Sequence, residues 1–345
     1  MLSGFMRKWR GGARSGSHVT VIEWRDEGLL VLRMSTQGRP KSEYRSAQHE
    51  GDLMPPLGAA QPAVQEAQFV ECKPDKREAG VARLAKQGWF SGGRNILLLG
   101  IRQRQMAVLP RPTVPDAELV EAARWQLQGA LDYPPEEAVL DVLRIGQDEP
   151  PARQQLAVFA VRRSELARWL APFTARKITL EAVEVADCAQ RNLAALHPSK
   201  GQPVAMLSLR EDSIVFSVTR GSEVLVSRSF DAAGVKAGGA DHAAEIAALA
   251  ERVGLQLQRM LDTLERRSAA MAPSQILVLS HPQPSLLLTQ CAELTGLRVL
   301  PLDLGAMLEP ARRAAPDAPT NAAISGDFLH LLGAALRPAP VGVAV

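Results

Sequence analysis

Apolar and polar positions along the chain alternate between short runs of period two and longer stripes of period 3.6, which predicts an α/β protein. His18 to Trp24 and Gly28 to Met34 read as two strands, joined at Arg25-Asp26-Glu27-Gly28 into a hairpin that opens a sheet. Gln68 to Cys72, Asn95 to Gly100, Gln105 to Leu109, Val139 to Ile145 and Gln154 to Val161 follow as strands. Helices are predicted over Lys76 to Gln87, Asp116 to Leu131, Arg163 to Arg176 and Val183 to Leu196. Beyond Pro203 comes a three-strand meander, Pro203 to Leu209, Ser213 to Thr219 and Glu223 to Phe230, with compact turns at Arg210-Glu211-Asp212 and Arg220-Gly221-Ser222. Asp241 to Arg267 is the longest predicted helix, with Leu249, Ala250, Val253, Leu257, Met260 and Leu264 on one narrow stripe. A strand at Ser274 to Ser280, a helix at Ser285 to Gly296, a strand at Leu297 to Leu300 and a helix at Asp327 to Leu336 complete the pattern.

The stretch from Asp116 to Ile145 joins a helix, a proline-terminated corner and a strand. Leu119, Val120, Ala123, Leu127, Ala130 and Leu131 form an apolar stripe, with Glu118, Glu121, Arg124 and Gln128 opposite. Asp116 stands where an N-cap belongs. Tyr133-Pro134-Pro135 stops the helix, because residues before proline disfavour the helical region and proline donates no hydrogen bond. Trp125 falls on the polar side, which makes it and the surface around Tyr133 candidates for partner contact; the competing reading is that a neighbouring subdomain covers the indole.

Charge changes the picture at the N-terminus. In residues 1–17 Phe5, Met6 and Trp9 share a face with Leu2, while Arg7, Lys8 and Arg10 occupy the rest and no acidic residue is present. This basic amphipathic segment is either a frayed terminus or a peripheral membrane anchor, with Phe5, Met6, Arg7, Lys8, Trp9 and Arg10 as its contacts. Residues 35–65 are rich in Gly, Pro, Ser and charge and read as a flexible insertion; residues 338–345 read as a tail. Elsewhere 40 Lys and Arg balance 37 Asp and Glu for a net charge of +3, and aromatics make up only 4%. That composition excludes nucleic acid as a partner. Cys72, Cys188 and Cys291 are isolated, and the six histidines show no metal-ligand spacing, so neither a disulfide framework nor a metal site is expected. No apolar run reaches the length of a spanning helix.

Four stretches, ELVEAARWQLQGALDYPPEEAVLDVLRI, LAVFAVRRSELARWLAPF with ITLEAVEVADCAQRNLAAL, VSRSFD with the long helix ending LQLQRMLDTLERR, and FLHLLGAALRP, resemble in their order and spacing the PilM/MshI family of actin-like proteins. The resemblance covers most of residues 95–337. It implies an actin-like, ribonuclease-H-like two-lobed α/β fold with a small α+β insert subdomain. The first lobe would span 18–197, with the insert at about 95–176, and the second 198–337 with the long helix 241–267. It also implies a cytoplasmic protein, peripheral to the inner membrane, of a type IV (MSHA-like) pilus machine. Its partners would be the N-terminal cytoplasmic tail of a PilN-like bitopic inner-membrane protein and other platform or motor components.

Actin-like ATPases hold nucleotide between their lobes with two hairpins that carry Asp and Gly, the glycine admitting the phosphate to the backbone and the aspartate organising Mg²⁺. Here the matching positions read Glu23-Trp24-Arg25 in the first hairpin and Ser208-Leu209-Arg210 in the second. Ser280-His281-Pro282 stands where paired glycines would pass the adenosine. Trp24 is expected to obstruct the approach to phosphate. With three positions degenerate and no P-loop, GxGxxG or GxSxG motif in place, the expectation is a pseudo-ATPase that takes no cofactor and has no catalytic residue. Two alternatives stand beside it: an ATPase with diverged loops that binds Mg-ATP, and the cytoplasmic domain of a type II secretion L-type protein. Met1 and the Pro/Val/Ala-rich ending read as natural termini, which weighs against the latter.

Overall fold

The structure is a computed structural model that describes residues 18–35, 63–197, 199, 201–210, 213–221, 223–232, 242–279, 285–302 and 326–337. In chain order its main elements are β1 (His18–Trp24), β2 (Gly28–Ser35), β3 (Val64–Glu71), α1 (Arg77–Lys86), β4 (Arg94–Leu99) and β5 (Gln105–Pro110). Next come α2 (Leu119–Gln126), β6 (Ala138–Ile145), β7 (Gln155–Arg162), α3 (Arg163–Thr174), β8 (Ala182–Val185) and α4 (Ala186–Ala194). The remainder is β9 (Val204–Leu209), β10 (Ser213–Arg220), β11 (Glu223–Asp231), α5 (His242–Arg267), β12 (Gln275–Leu279), α6 (Ser285–Thr295), β13 (Arg298–Pro301) and α7 (Leu329–Ala335).

Two five-stranded sheets share one order. The first runs β3-β2-β1-β4-β8 and the second β11-β10-β9-β12-β13, so each places its first strand beside its fourth. In both, the first strand pairs in parallel with the fourth and the fourth with the fifth. Strands paired this way need cover on both faces, and the sequences comply: all six residues of β4 and all six of β9 are buried. The chain parts into two compact units, and at Asp187 it enters the second.

The first unit has two cores. One gathers Ile22, Trp24, Val31, Leu84, Trp89, Leu97, Trp169 and Phe173 around the five-stranded sheet. The other lies in a three-stranded antiparallel sheet, β5-β7-β6, where Leu119, Ala123 and Leu127 of α2 and its C-terminal turn pack on Leu140, Leu156 and Val158. This insert therefore occupies 105–162 rather than 95–176. β4 pairs with β1 and β8, and Trp169, Leu170 and Phe173 of α3 join the main core, so both flanks belong to the larger sheet.

Three further expectations are corrected. Val183 to Leu196 is not one helix: Ala182–Val185 forms β8, because β-branched Val183 and Val185 extend alongside Leu97 and Leu99 of β4 before α4 begins. Nor does the first lobe reach residue 197; from Asp187 on α4 belongs to the second unit, where the buried Gln190 amide bonds to that unit's sheet. Finally, Asp116 does not cap α2. Its carboxylate accepts from Arg111 (3.1 Å) and Arg144 (2.8 Å), while Asp116–Glu118 forms a single 3₁₀ turn ahead of the helix. The insertion expected at 35–65 falls mostly outside the described residues, but its last residues open β3, which begins at Val64.

Candidate functional site

The hairpin between β1 and β2 is closed by the Arg25 N–H donating to the Gly28 carbonyl at 2.8 Å. Alternation along β1 sends Glu23 and Trp24 to opposite faces. Trp24 turns inward: it is 2% exposed, its indole N–H donates to the Trp169 carbonyl at 3.3 Å, and its ring lies 5.8 Å from that of Phe173. The Arg77 guanidinium stands 5.1 Å from the ring centre. Trp24 is thus a core residue and not the obstruction expected of it. Glu23 is buried too, with its carboxylate 3.8 Å from Arg25.

The second hairpin position is built into a buried polar network. Ser208, at the end of β9, is fully buried, and its hydroxyl donates to Gln190 Oε1 of α4 at 2.6 Å. The Gln190 amide nitrogen donates in turn to the Met206 and Val215 carbonyls and to Ser217 Oγ, at 2.9, 3.1 and 2.9 Å. His330 of α7, also fully buried, places Nε2 3.0 Å from Ser208 Oγ and Nδ1 2.9 Å from the Arg210 guanidinium. A guanidinium only donates, so Nδ1 accepts and the ring carries its proton on Nε2, facing Ser208. In that tautomer His330 gives Ser208 a proton to bond and does not act as its base, so the pair is a structural clamp and not a nucleophile with its activator. Leu209 is buried in the second sheet.

At the two described hairpin positions no aspartate or glycine stands, and Trp24, Ser208 and Arg210 are buried and bonded within their own units. Ser280, His281 and Pro282 lie outside the described residues, as do Phe5, Met6, Arg7, Lys8, Trp9 and Arg10. No group of three His, Cys, Asp or Glu suited to a metal occurs among the described residues. Burial pushes the Cys291 thiol up to about 12, and burial raises Cys72 as well, against the opposing pull of the Arg77 guanidinium. No helix of the described residues is long and apolar enough to cross a membrane.

Trp125 and Tyr133 are brought together. Both line a groove of about 500 Å³ on the insert, between the C-terminal end of α2 and the Pro134-Pro135 corner. Trp125 is 75% exposed, so no neighbouring part of the described chain covers it. Tyr133 lies under the Arg162 guanidinium, 4.8 Å from the ring centre. Its phenol is raised above the usual range by burial and by Asp132, against the opposing pull of Arg162, and so stays protonated at neutral pH. α2 stops early enough to open this groove: Gln126 is its last residue, and Gly129 follows at φ +78°, a conformation glycine adopts without strain.

Gln190 and His330 were not singled out in the sequence. Gln190 sits in a segment with no distinguishing motif, whereas His330 carried a signal, being the lone polar ring in FLHLLGAALRP.

Two units that repeat one mixed sheet order, the first bearing a three-stranded insert, define the actin-like fold. A solved PilM-PilN type IV pilus biogenesis complex aligns with TM-score 0.62 over 94% of this chain and 100% of that chain, at 16% identity. At that identity the likeness is one of fold. A Bacteroides thetaiotaomicron protein with actin-like ATPase fold and unknown function gives TM-score 0.49, 10% identity and coverage of 87% and 96%. The cytoplasmic domain of EpsL, an inner-membrane component of the type II secretion system of Vibrio cholerae, gives 0.47, 13%, and 93% and 96%. No protein-family model matches the chain, and no curated protein does.

Proposed function

We propose that this chain is an actin-like scaffold of a type IV pilus (MSHA-like) assembly machine. In this reading it is cytoplasmic, peripheral to the inner membrane, and captures the cytoplasmic tail of a PilN-like bitopic membrane protein without hydrolysing ATP. The observation that carries the proposal is the alignment, along the full length of that chain, with the PilM-PilN complex. The loss of hydrolysis is supported by the fate of the two described hairpin positions, where Trp24 serves the core and Ser208 and Arg210 serve His330. Capture of a tail needs no catalytic group: an extended peptide gains backbone hydrogen bonds and side-chain pockets, and affinity follows from shape.

Calorimetric titration tests both halves. Peptides copying the cytoplasmic tails of PilN-like proteins from the same organism should bind with micromolar affinity or better, about −8 kcal/mol. Mg-ATP should give no binding heat. Absence of tail binding would remove the scaffold reading, and micromolar Mg-ATP binding would restore the nucleotide-dependent one.

A further inference from the structure

The groove beside Trp125 combines an exposed indole with two carboxylates, those of Asp132 and Glu136, that enter no ion pair among the described residues. Asp132 lines it and is held in place by Gln105, whose amide nitrogen donates to Asp132 Oδ2 at 2.6 Å; a neutral amide orients that carboxylate without cancelling its charge. The Glu136 carboxylate, also on the rim, enters no ion pair or hydrogen bond among the described residues. Arg124 is the cation lining the groove, and it is already used. Its Nη1 donates to the carbonyls of Pro135 at 2.5 Å and Ala138 at 3.0 Å, and its Nε meets Glu121 at 3.2 Å. Among the lining residues two carboxylates therefore stand against one engaged cation, around an aromatic face that solvent leaves open. Beside the lining, Arg162 meets Glu137 at 3.2 Å and Arg163 donates to the Glu136 carbonyl at 3.3 Å.

We propose that this groove is a docking site for an extended, arginine- or lysine-bearing segment of a protein partner. A cationic side chain lies against the Trp125 indole, where ring quadrupole and charge attract. Asp132 and Glu136 supply the counter-charge, and the apolar parts of the segment cover Leu131 and Tyr133. The sign of the charge argues against an anionic lipid surface as the occupant, since the carboxylates would repel it. The corner is preorganised: Pro134 holds an extended backbone, φ −57° and ψ 134°, ahead of the single turn at Pro135–Glu137, so little ordering entropy is lost on binding. This site goes beyond the proposed capture of a membrane protein's tail and does not depend on it.

The test uses the full chain and three fluorescently labelled synthetic peptides on one leucine- and proline-containing frame, bearing arginine, glutamine or glutamate at the same positions. The arginine peptide should bind most tightly, and its affinity should fall as salt is raised. Trp125→Ala should weaken it by about tenfold or more, and Asp132→Asn with Glu136→Gln by about tenfold while removing most of the salt dependence. Trp125→Phe should recover part of the loss. These side chains are exposed, so thermal melts of the variants should match the parent and exclude misfolding. Equal binding of the arginine and glutamine peptides, or unchanged affinity in Trp125→Ala, overturns the proposal. Tail-peptide binding measured on the same variants reads the scaffold proposal separately, so either can fail alone.

Discussion

Trp24 illustrates how a residue's role depends on which face of its strand it occupies. Read in line, it stands at the hairpin step where a glycine would admit phosphate; in space it packs on Phe173 and bonds the Trp169 carbonyl. Strand alternation makes one outward and one inward position equally available, and only the partners decide between them. His18, at the start of the same strand, carries a pH dependence. Burial lowers its pKa from the ordinary value of 6.5 and the Arg33 guanidinium lowers it further, against a hydrogen bond at the Ser91 backbone. The unfolded chain thus takes up this proton at a higher pH than the folded one. Its contribution to stability is complete above about pH 6.5 and is lost as pH falls below that value. Thermal melts at about pH 7.5 and 5.5 should show a larger drop in Tm for the parent than for His18→Gln. An equal drop would mean that His18 is not among the groups responsible.

At the scale of elements, most of the helices and strands were legible because their apolar periods are long and clean. The stripe of α5 is buried at Leu249, Ala250, Val253, Leu257, Met260 and Leu264, the positions its period named. β8 was not legible, because a four-residue strand carries too little pattern to compete with the helix that follows it. The contact of α4 with α7 depends on a single glycine. A Cβ at Gly333 would fall 2.1 Å from the Ala189 carbonyl oxygen and 2.6 Å from its carbon, both backbone atoms that cannot swing aside. Asn192 reinforces this approach by donating to the Gly333 carbonyl at 2.9 Å. Gly333→Ala should therefore destabilise the protein by about 1–3 kcal/mol, as overpacking of a filled interior does. Urea unfolding would measure it; a change within about 0.5 kcal/mol would show that the helices can part without cost.

For the whole molecule, the insert is the element whose autonomy can be tested. β5 and β7 are antiparallel neighbours with Gln105 opposite Ala160, so the two points where the chain enters and leaves the insert are about 5 Å apart. A short Gly/Ser linker spans that gap. Replacing residues 105–160 with one should leave the core around Trp24, Trp89 and Phe173 folded, with cooperative thermal unfolding retained, because that core draws only Val161 from the excised sheet. Loss of cooperative melting would show that the insert is needed for the five-stranded sheet to hold. The same deletion should abolish binding of the arginine peptide, since the groove lies wholly within it.

The sequence by itself determined the α/β class, the hairpin-led first half and meander-led second half, the helix-corner-strand order of the insert, and the residues, none of them aspartate or glycine, that stand at Glu23-Trp24-Arg25 and Ser208-Leu209-Arg210. These are local properties: period, turn chemistry and residue identity act within a few positions of one another. Only the tertiary structure decided that Trp24 is core, that Ser208 and Arg210 are clamped by His330 and Gln190, and that Trp125 shares a groove with Tyr133 and the carboxylates of Asp132 and Glu136. Those pairings join residues up to 145 positions apart, and whether a polar side chain is neutralised, buried or left facing water depends on the neighbour that packing brings to it.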